Sequence, residues 1–180
     1  ENNINNCLKS CMMQDYDNLE IIVLDDKSED RTAKVVASNI SEGSRVRLII
    51  GKDLPQGWLG KNWACHQLAG VARGEYLLFI DSDVTLGKEA VSTVISEVKK
   101  NKTGMFSVFP TQILSGLGAT IVIPIMNWLL LNFLPLKQVF LSESPKFVAA
   151  NGQFILFTRE TYDKTGGHTA VKGKVVEDME

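Results

Sequence analysis

Segments with two different patterns of apolar residues alternate along the chain. Apolar residues three and four positions apart predict amphipathic helices, whereas short runs of branched and aromatic residues predict buried strands. The helices are predicted at 2–13, 30–40, 61–73, 88–101 and 159–164, and the strands at 19–24, 46–50, 76–80, 105–109 and 154–157. Strands that alternate with helices are typical of an α/β fold, with a parallel sheet and crossover helices.

Carboxylates directly follow two of the predicted strands. Asp25 and Asp26 end the first strand, and Asp81 and Asp83 end the third. Open α/β sheets bind their ligands at the carboxyl ends of strands, and two carboxylates on a tight turn suit Mg²⁺ or Mn²⁺. Adjacent acids such as Asp25 and Asp26 repel each other unless a cation or donor-rich ligand lies near. Helix capping or simple solvation of these side chains is the alternative explanation.

A long segment between Lys102 and Lys137 carries no charged residue. Its second half, 117–136, consists mostly of Ile, Val, Leu, Trp and Phe, and its length is close to the roughly 20 residues that span a bilayer. Pro124 and Pro135 interrupt it, which argues against a straight spanning helix. We therefore expect an interfacial, membrane-facing segment, with a buried core helix and a true span as the alternatives.

Composition narrows the function classes without choosing one. The chain has 180 residues, 44% apolar and 22% charged, which allows one globular domain with a sizeable core. Its net charge of -2 lacks the basic excess of a nucleic-acid-binding protein, so no nucleic-acid partner is expected. Three cysteines without a disulfide-rich pattern indicate a reducing, cytoplasmic setting.

Four short sequences occur in an order and spacing that resemble the family 2 glycosyltransferases, which are inverting enzymes of the GT-A fold. They lie at residues 19–32, 81–83, 152–154 and 177–178, and the resemblance covers nearly the whole chain. It implies a Rossmann-like α/β domain, a nucleotide-diphospho-sugar transferase with a mainly parallel central sheet flanked by helices. The nucleotide-sugar-binding part would be about 1–103, and the acceptor-side part about 104–180.

The resemblance assigns donor-side roles to five residues. Asp26 would contact the nucleotide base, which we expect to be uracil, and Asp25 would shape that pocket. Asp81 would lie near the ribose and the metal, and Asp83 would ligate the Mg²⁺ or Mn²⁺ on the diphosphate. Such an ion neutralises charge that develops on the leaving group. Lys61 would approach the phosphates, although a solvated lysine at a helix start explains it equally well.

The acceptor-side roles fall on the second half of the chain. Asp178 would be the general base that deprotonates the acceptor, and Glu177 is the less favoured base. Direct attack then inverts the anomeric centre without a covalent nucleophile. The resemblance places Gly152 and Gln153 on the acceptor side. His168 would line the same side, or would instead cap the structure locally.

Residues 57–61 and the run 152–178 resemble the membrane-associated branch of this family, which glycosylates lipid or polyisoprenoid acceptors, including hopanoid- and carotenoid-linked ones. This implies a lipid or polysaccharide acceptor and a location at the cytoplasmic face of the cell membrane. The family's opening strand and first loop are expected before Glu1, and a Gln/Arg-containing motif after Glu180. Two positions depart from the family pattern: Lys27 replaces a glycine, and His66 stands where many members have Asn.

Two other interpretations remain open at the level of sequence. Residues 79–85 also match the opening of haloacid-dehalogenase phosphatases, in which Asp81 would be the nucleophile and Asp83 an acid/base. That interpretation leaves the acids at 25–26 and 177–178 unexplained. The other is a non-catalytic nucleotide-sugar-binding domain at the membrane, which would have no need of a general base.

Overall fold

The helices and strands predicted from hydrophobic spacing are present, with ends that shift by at most two residues. The computed structural model describes residues 3–114, 116–133 and 150–174. The elements in chain order are α1 (Ile4–Met12), β1 (Ile21–Asp25), α2 (Thr32–Ser38), β2 (Val46–Ile50), α3 (Gly60–Val71), β3 (Tyr76–Ile80), α4 (Ala90–Asn101), β4 (Met105–Ser107), α5 (Leu117–Phe133), β5 (Phe154–Thr158), α6 (Arg159–Thr165) and α7 (Gly167–Ala170).

The strands form two sheets with different directions of pairing. In the first, β1 and β2 are parallel, with Asp25 opposite Ile50 at their carboxyl ends. In the second, the order is β3-β5-β4, and β5 runs antiparallel to both neighbours. The α/β class is confirmed, but the expectation of a mainly parallel sheet is wrong for the described strand pairs. Hydrophobic periodicity is the same in either strand direction, so it does not reveal that β5 is reversed.

Each sheet is covered by helices whose apolar spacing matches the sheet surface. On the second sheet, α4 packs with residues three and four positions apart against the central strand β5. On the first sheet, α1 and α2 pack against β1 and β2. The buried residues of the α4 cluster are Val91, Val94, Ile95, Val98, Phe154 and Leu156. Each such side chain contributes roughly 1.5–3 kcal/mol through removal from water.

Arg159 joins the acceptor-side half of the chain to the end of α3. Its guanidinium donates hydrogen bonds to the carbonyl oxygens of Ala69 at 3.1 Å, Ala72 at 2.8 Å and Gly74 at 3.2 Å. Its backbone N–H donates to the carbonyl of Glu75 at 2.7 Å. The last carbonyls of a helix lack partners within the helix, so this contact satisfies them. It thereby fixes the point from which β3 runs towards Asp81.

A cavity of about 790 Å³ lies between the two sheets. Its walls include β3 and the beginning of β1, together with side chains from α3 and α6. Among the described strands, β1 pairs with β2 alone and β3 with β5 alone, so each presents a strand edge on its other side. One end of the cavity reaches Lys61, Asp81 and Gly152.

Helix α5 exposes apolar side chains over one broad face. Ile121, Val122, Ile125, Met126, Trp128 and Leu129 are between 39% and 63% exposed. At 100° per residue these positions cover an arc of roughly 160°. Thr120 and Asn127 lie on the opposite side, and Pro124 stands inside the helix. None of the helices in the described ranges is long and apolar enough to cross a membrane.

Candidate nucleotide-sugar site

The carboxyl ends of β1 and β2 approach each other closely at Asp25 and Asp26. The N–H of Gly51, the residue after β2, donates to the backbone carbonyl of Asp25 at 2.9 Å. A Cβ on Gly51 would lie 3.0 Å from Asp26 Oδ1 and 3.1 Å from Leu24 Cδ2. A larger residue at position 51 would therefore press against the Asp26 carboxylate, which favours glycine at this position.

Asp25 carries a buried carboxylate oxygen that lacks a hydrogen bond. Its side chain is buried at the end of β1, and its Oδ1 atom contacts no donor among the described residues. An unsatisfied buried polar atom costs about 1–3 kcal/mol. The neighbouring Asp26 is exposed and lies beside Gly60, the first residue of α3. One oxygen of Asp25 therefore lacks a hydrogen-bond donor, and the neighbouring Asp26 carboxylate is accessible to a ligand.

Lys61, Asp81 and Gly152, which are far apart in sequence, meet at the carboxyl end of β3. Lys61 Nζ lies 3.1 Å from Asp81 Oδ1 and 3.2 Å from the carbonyl oxygen of Gly152. Both charged side chains remain partly exposed, at 46% and 36%. An ion pair this exposed contributes at most about 1 kcal/mol. Lys61 thus contacts two partners at the carboxyl end of β3, and its approach to a phosphate stays a prediction.

The turn from Asp81 to Val84 holds the two predicted metal ligands. The N–H of Asp81 donates to the carbonyl of Gln153 at 3.2 Å, and the N–H of Val84 donates to the carbonyl of Asp81 at 3.1 Å. Val84 is buried, whereas Asp83 points its exposed side chain outward. The backbone of Gln153 thus fixes the start of the turn, and the turn leaves Asp83 accessible.

This turn fits a divalent ion that arrives with a phosphate ligand. In residues 3–114, 116–133 and 150–174, no group of three His, Cys, Asp or Glu side chains is arranged to hold a metal by itself. Mg²⁺ is usually held by one or two carboxylates, with water and phosphate oxygens completing its shell. Asp81 and Asp83 supply the hard oxygen donors that this mode of binding needs.

The carboxylates of Asp81 and Asp83 also contribute to the raised pKa of a buried thiol of α1, Cys7. The pKa of Cys7 is raised, mainly by its contact with Cys11, then by burial, with further contributions from Asp83 and Asp81. Cys7 Sγ lies 3.7 Å from the carbonyl oxygen of Asp81. The thiol therefore stays protonated, and Cys7 packs beneath the turn rather than acting as a nucleophile.

The Asn151–Gln153 turn orients the Gly152 carbonyl towards Lys61. Asn151 Oδ1 accepts a hydrogen bond from the N–H of Gln153 at 2.8 Å, and the N–H of Asn151 donates to Ser107 Oγ at 2.7 Å. Ser107 ends β4, so this turn is fastened to the neighbouring strand. The turn itself is predictable from sequence, since Asn-Gly is a recognised turn signal. Its contact with Ser107 is not, because the two residues lie 44 positions apart.

His168 is occupied by contacts within the protein. Its Nδ1 atom lies 2.7 Å from the hydroxyl oxygen of Tyr162, and its ring packs edge-on against Phe79. Burial, with smaller effects from His66 and Lys61, lowers the pKa of His168 to about 4. The imidazole is therefore neutral at neutral pH. This arrangement supports the structural alternative for His168, while a role on the acceptor side stays a prediction.

Three aromatic rings pack together at the start of α3. The ring centroids of Trp58, Trp63 and His66 lie 5.0 to 5.4 Å apart. Trp63 Nε1 donates to the carbonyl of Lys52 at 3.2 Å, which ties the loop after β2 to this helix. The stretch 57–61 is recognisable in the sequence, but this packing is not, because residues separated by five and three positions form no known sequence motif.

The structure places several of the residues selected from sequence in two groups. Lys61 contacts both Asp81 and Gly152 at the carboxyl end of β3, and Asp26, at the end of β1, lies beside Gly60 at the start of α3. Glu177 and Asp178, the predicted bases, lie outside the described residues.

Comparisons with known proteins agree with this geometry. The model for "Glycosyl transferase family 2" matches residues 1–165. The chain is 30% identical to the 4,4'-diaponeurosporenoate glycosyltransferase of Staphylococcus aureus (strain USA300) over 181 residues, which covers 98% of this chain and 46% of that protein. The chain thus spans less than half the length of this relative.

Two solved structures share the fold at low sequence identity. One is a mannosyltransferase from Pyrobaculum calidifontis in complex with GDP-Man and Mn²⁺, with a TM-score of 0.68, 20% identity, and coverage of 91% of this chain and 43% of the other. The second is S. aureus TarS 1–349 in complex with UDP, with a TM-score of 0.56, 18% identity, and coverage of 92% and 45%. The fold is thus GT-A, and the chain belongs to glycosyl transferase family 2.

Proposed function

We propose that the full-length protein transfers a sugar from a nucleotide diphosphate donor to a hydroxyl or carboxyl group of a lipid-like acceptor, with inversion at the anomeric carbon. The observation that carries the proposal is the contact of Lys61 with Asp81 and Gly152 beside the strand end at Asp25–Asp26. A cation and several carboxylates at the carboxyl ends of β1 and β3 match the mixed charge of a nucleotide sugar with its metal ion. Family membership makes the phosphatase alternative untenable.

The donor would lie across the carboxyl ends of β1 and β3. Asp26 is exposed and can accept hydrogen bonds from a base, and the free oxygen of Asp25 needs a donor. Lys61 would turn from Asp81 to the diphosphate. A divalent ion, Mg²⁺ or Mn²⁺, bound by Asp83 and Asp81 would neutralise charge on the leaving diphosphate. UDP is our expected nucleotide, and the fold relatives bind both UDP and GDP-Man.

Transfer needs only one displacement at the anomeric carbon. A hydroxyl acceptor attacks this carbon, its proton passes to the Asp178 carboxylate, and the bond to the diphosphate oxygen breaks. The electron pair of that bond leaves with the nucleotide diphosphate. A carboxylate acceptor is already deprotonated and attacks without this proton transfer. Glu177 is the alternative base. The neutral, hydrogen-bonded His168 has no part in this proton transfer.

A lipid-like acceptor is supported by α5 and by the relative's name. One face of α5 presents apolar side chains over roughly half its circumference, with Thr120 and Asn127 opposite. A helix without charge that exposes this much apolar surface is suited to contact with lipid. The S. aureus relative is named for a carotenoid carboxylic acid. The described cysteines form no disulfide with one another, and the cytoplasmic face of the membrane is the location that we propose.

A binding screen on the full-length protein tests the donor. We expect one nucleotide sugar among UDP- and GDP-linked hexoses to bind with Mn²⁺ at least about tenfold more tightly than without it. Isothermal titration calorimetry measures both affinities, and the nucleoside monophosphate, which lacks the diphosphate, serves as the weak control. Equal affinity for all ligands, with and without Mn²⁺, would contradict the proposed donor site.

Kinetics with a vesicle-embedded acceptor test the role of α5. Ile125→Asp places a charge on the apolar face, so we expect the KM for a long-chain acceptor in vesicles to rise at least about tenfold. The KM for a short, water-soluble acceptor should not change. Asn127→Asp adds the same charge to the opposite side and serves as the matched control. If both variants raise the vesicle KM equally, the apolar face does not contact lipid.

A further inference from the structure

Two side chains of α3 hold the backbone of Lys52, which lies just beyond the end of β2. The N–H of Lys52 donates to Gln67 Oε1 at 2.8 Å, and its carbonyl oxygen accepts a hydrogen bond from Trp63 Nε1 at 3.2 Å. Gln67 Nε2 also donates to the carbonyl oxygen of Trp63 at 3.3 Å, which turns the amide oxygen of Gln67 towards Lys52. Trp63 and Gln67 thus form a clamp that bonds both backbone polar groups of Lys52.

The clamp adjoins the Asp26 carboxylate through Gly51. The N–H of Gly51 donates to the carbonyl of Asp25 at 2.9 Å, and a Cβ on Gly51 would lie 3.0 Å from Asp26 Oδ1. On the other side, a Cβ on Gly60 would lie 4.0 Å from Asp26 Oδ2. The carboxylate therefore lies between Gly51 and the start of α3. Because Lys52 directly follows Gly51, a shift of Lys52 would move one of these two walls.

Helix α3 is itself fastened near both ends, so it provides a fixed support for the clamp. Near its start, the buried Asn62 has 1% of its surface accessible and donates to the carbonyl oxygens of Val171 at 2.6 Å and Lys174 at 3.2 Å. At its end, the guanidinium of Arg159 donates to the carbonyl of Ala72 at 2.8 Å. Buried hydrogen bonds of this kind are costly to break. The clamp thus ties residues 51–52 to a helix that is held in place.

We propose that Trp63 and Gln67 are positioning residues that set the Asp26 carboxylate for recognition of the nucleotide base. The inference rests on the proposed function, in which Asp26 contacts the base. Neither side chain of the clamp contacts the donor in this scheme, and both act through the backbone of residues 51–52. A hydrogen bond weakens steeply when its angle is poor, so a displaced carboxylate discriminates less well between bases. Loss of the clamp should therefore reduce selectivity among bases more than it reduces binding of the diphosphate.

Trp63→Phe in the full-length protein tests this inference, because it removes the indole N–H and keeps an aromatic ring. Isothermal titration calorimetry with Mn²⁺ present measures the affinities for UDP, GDP, CDP and ADP. We expect the affinity ratio between the best and the weakest ligand to fall about fivefold, an effect within the range of one hydrogen bond. Affinity for the weakest ligand should change less than twofold. Gln67→Met, which removes the acceptor of the Lys52 N–H, should lower the ratio in the same way.

Each of these two variants has a matched control. Trp58→Phe makes the same change in a ring whose centroid lies 5.1 Å from that of Trp63, and in the described part of the chain the Trp58 indole bonds to neither backbone group of Lys52. Gln67→Glu retains an oxygen that accepts from the Lys52 N–H. Both controls should keep the affinity ratio within twofold of that of the unmodified protein.

A double variant tests whether the clamp acts through Asp26. If it does, Trp63→Phe should lower the affinity ratio no further when it is added to Asp26→Ala. A further loss in that background, a ratio that survives both Trp63→Phe and Gln67→Met, or an equal loss in Trp58→Phe would overturn the inference alone. Failure of the proposed donor site gives a different result. In that case the unmodified protein binds all four nucleoside diphosphates equally or binds none, which overturns the proposed function and this inference together.

Discussion

Asp178→Asn in the full-length protein is expected to lower kcat for sugar transfer by about 10²–10⁴-fold, the usual contribution of a general base. The amide keeps the shape of the carboxylate but does not accept the acceptor's proton. Donor affinity should change less than twofold, because in the proposed site the donor contacts Asp26, Lys61 and the metal ligands instead of Asp178. Transfer is measured with a radiolabelled nucleotide sugar, and donor affinity by calorimetry.

Glu177→Gln is the matched control for this substitution. It removes the adjacent carboxylate with the same change of chemistry, and we expect a loss of kcat of less than about tenfold. If Asp178→Asn transfers sugar at a rate close to that of the unmodified protein, Asp178 is not the base. A large loss in Glu177→Gln alone would move the assignment to Glu177. A protein that binds the donor but transfers nothing in any form would support the non-catalytic alternative.

Asp83→Ala is expected to remove the effect of Mn²⁺ on donor binding. Asp83 is exposed on the turn after β3, and no third metal-binding side chain lies near it in the described ranges. Loss of one of two carboxylates should therefore weaken the binding of the ion. The donor should then bind with the same affinity with and without Mn²⁺. We expect the affinity measured with Mn²⁺ to fall at least about tenfold, which is 1.4 kcal/mol.

The control for Asp83→Ala removes an exposed carboxylate elsewhere. Asp163→Ala, on α6, takes away the same charge from the protein without touching the turn. It should retain the full response to Mn²⁺. Because thermal unfolding of both variants should match that of the unmodified protein, a selective loss in Asp83→Ala reports on the metal and not on stability. A Mn²⁺ response that survives in Asp83→Ala would contradict the metal assignment.

Sequence patterns predicted most elements of this fold because those helices and strands pack one face against the core. The strand ends at Asp25 and Asp81 were predictable for a related reason, since an apolar run that stops at a carboxylate marks the edge of the core. The direction of β5 was not predictable in this way. It depends on the path of the chain after α5, and periodicity contains no information on that path.

The acidic residues of the site could be predicted from the sequence, but the residues that hold the site in place largely could not. Lys61 was identified from sequence, but its contact with Gly152 joins residues 91 positions apart, which a local pattern does not reveal. Asn62 was missed altogether, because one amide inside an amphipathic helix resembles an ordinary polar position. It is distinguished only by its burial beneath residues 171–174, which leaves 1% of its surface exposed.

The position of β5 between β3 and β4 has a consequence for biosynthesis. Tyr76 pairs with Thr158, about 80 residues later, so β3 leaves the ribosome several seconds before its partner at 5–20 residues per second. During that interval the aromatic and branched residues of β3 present an unpaired edge. Pairing over such a separation also slows folding, since the intervening loop must close first. The predicted parts 1–103 and 104–180 therefore have to fold together. A chaperone that shields β3 should raise the yield of folded protein.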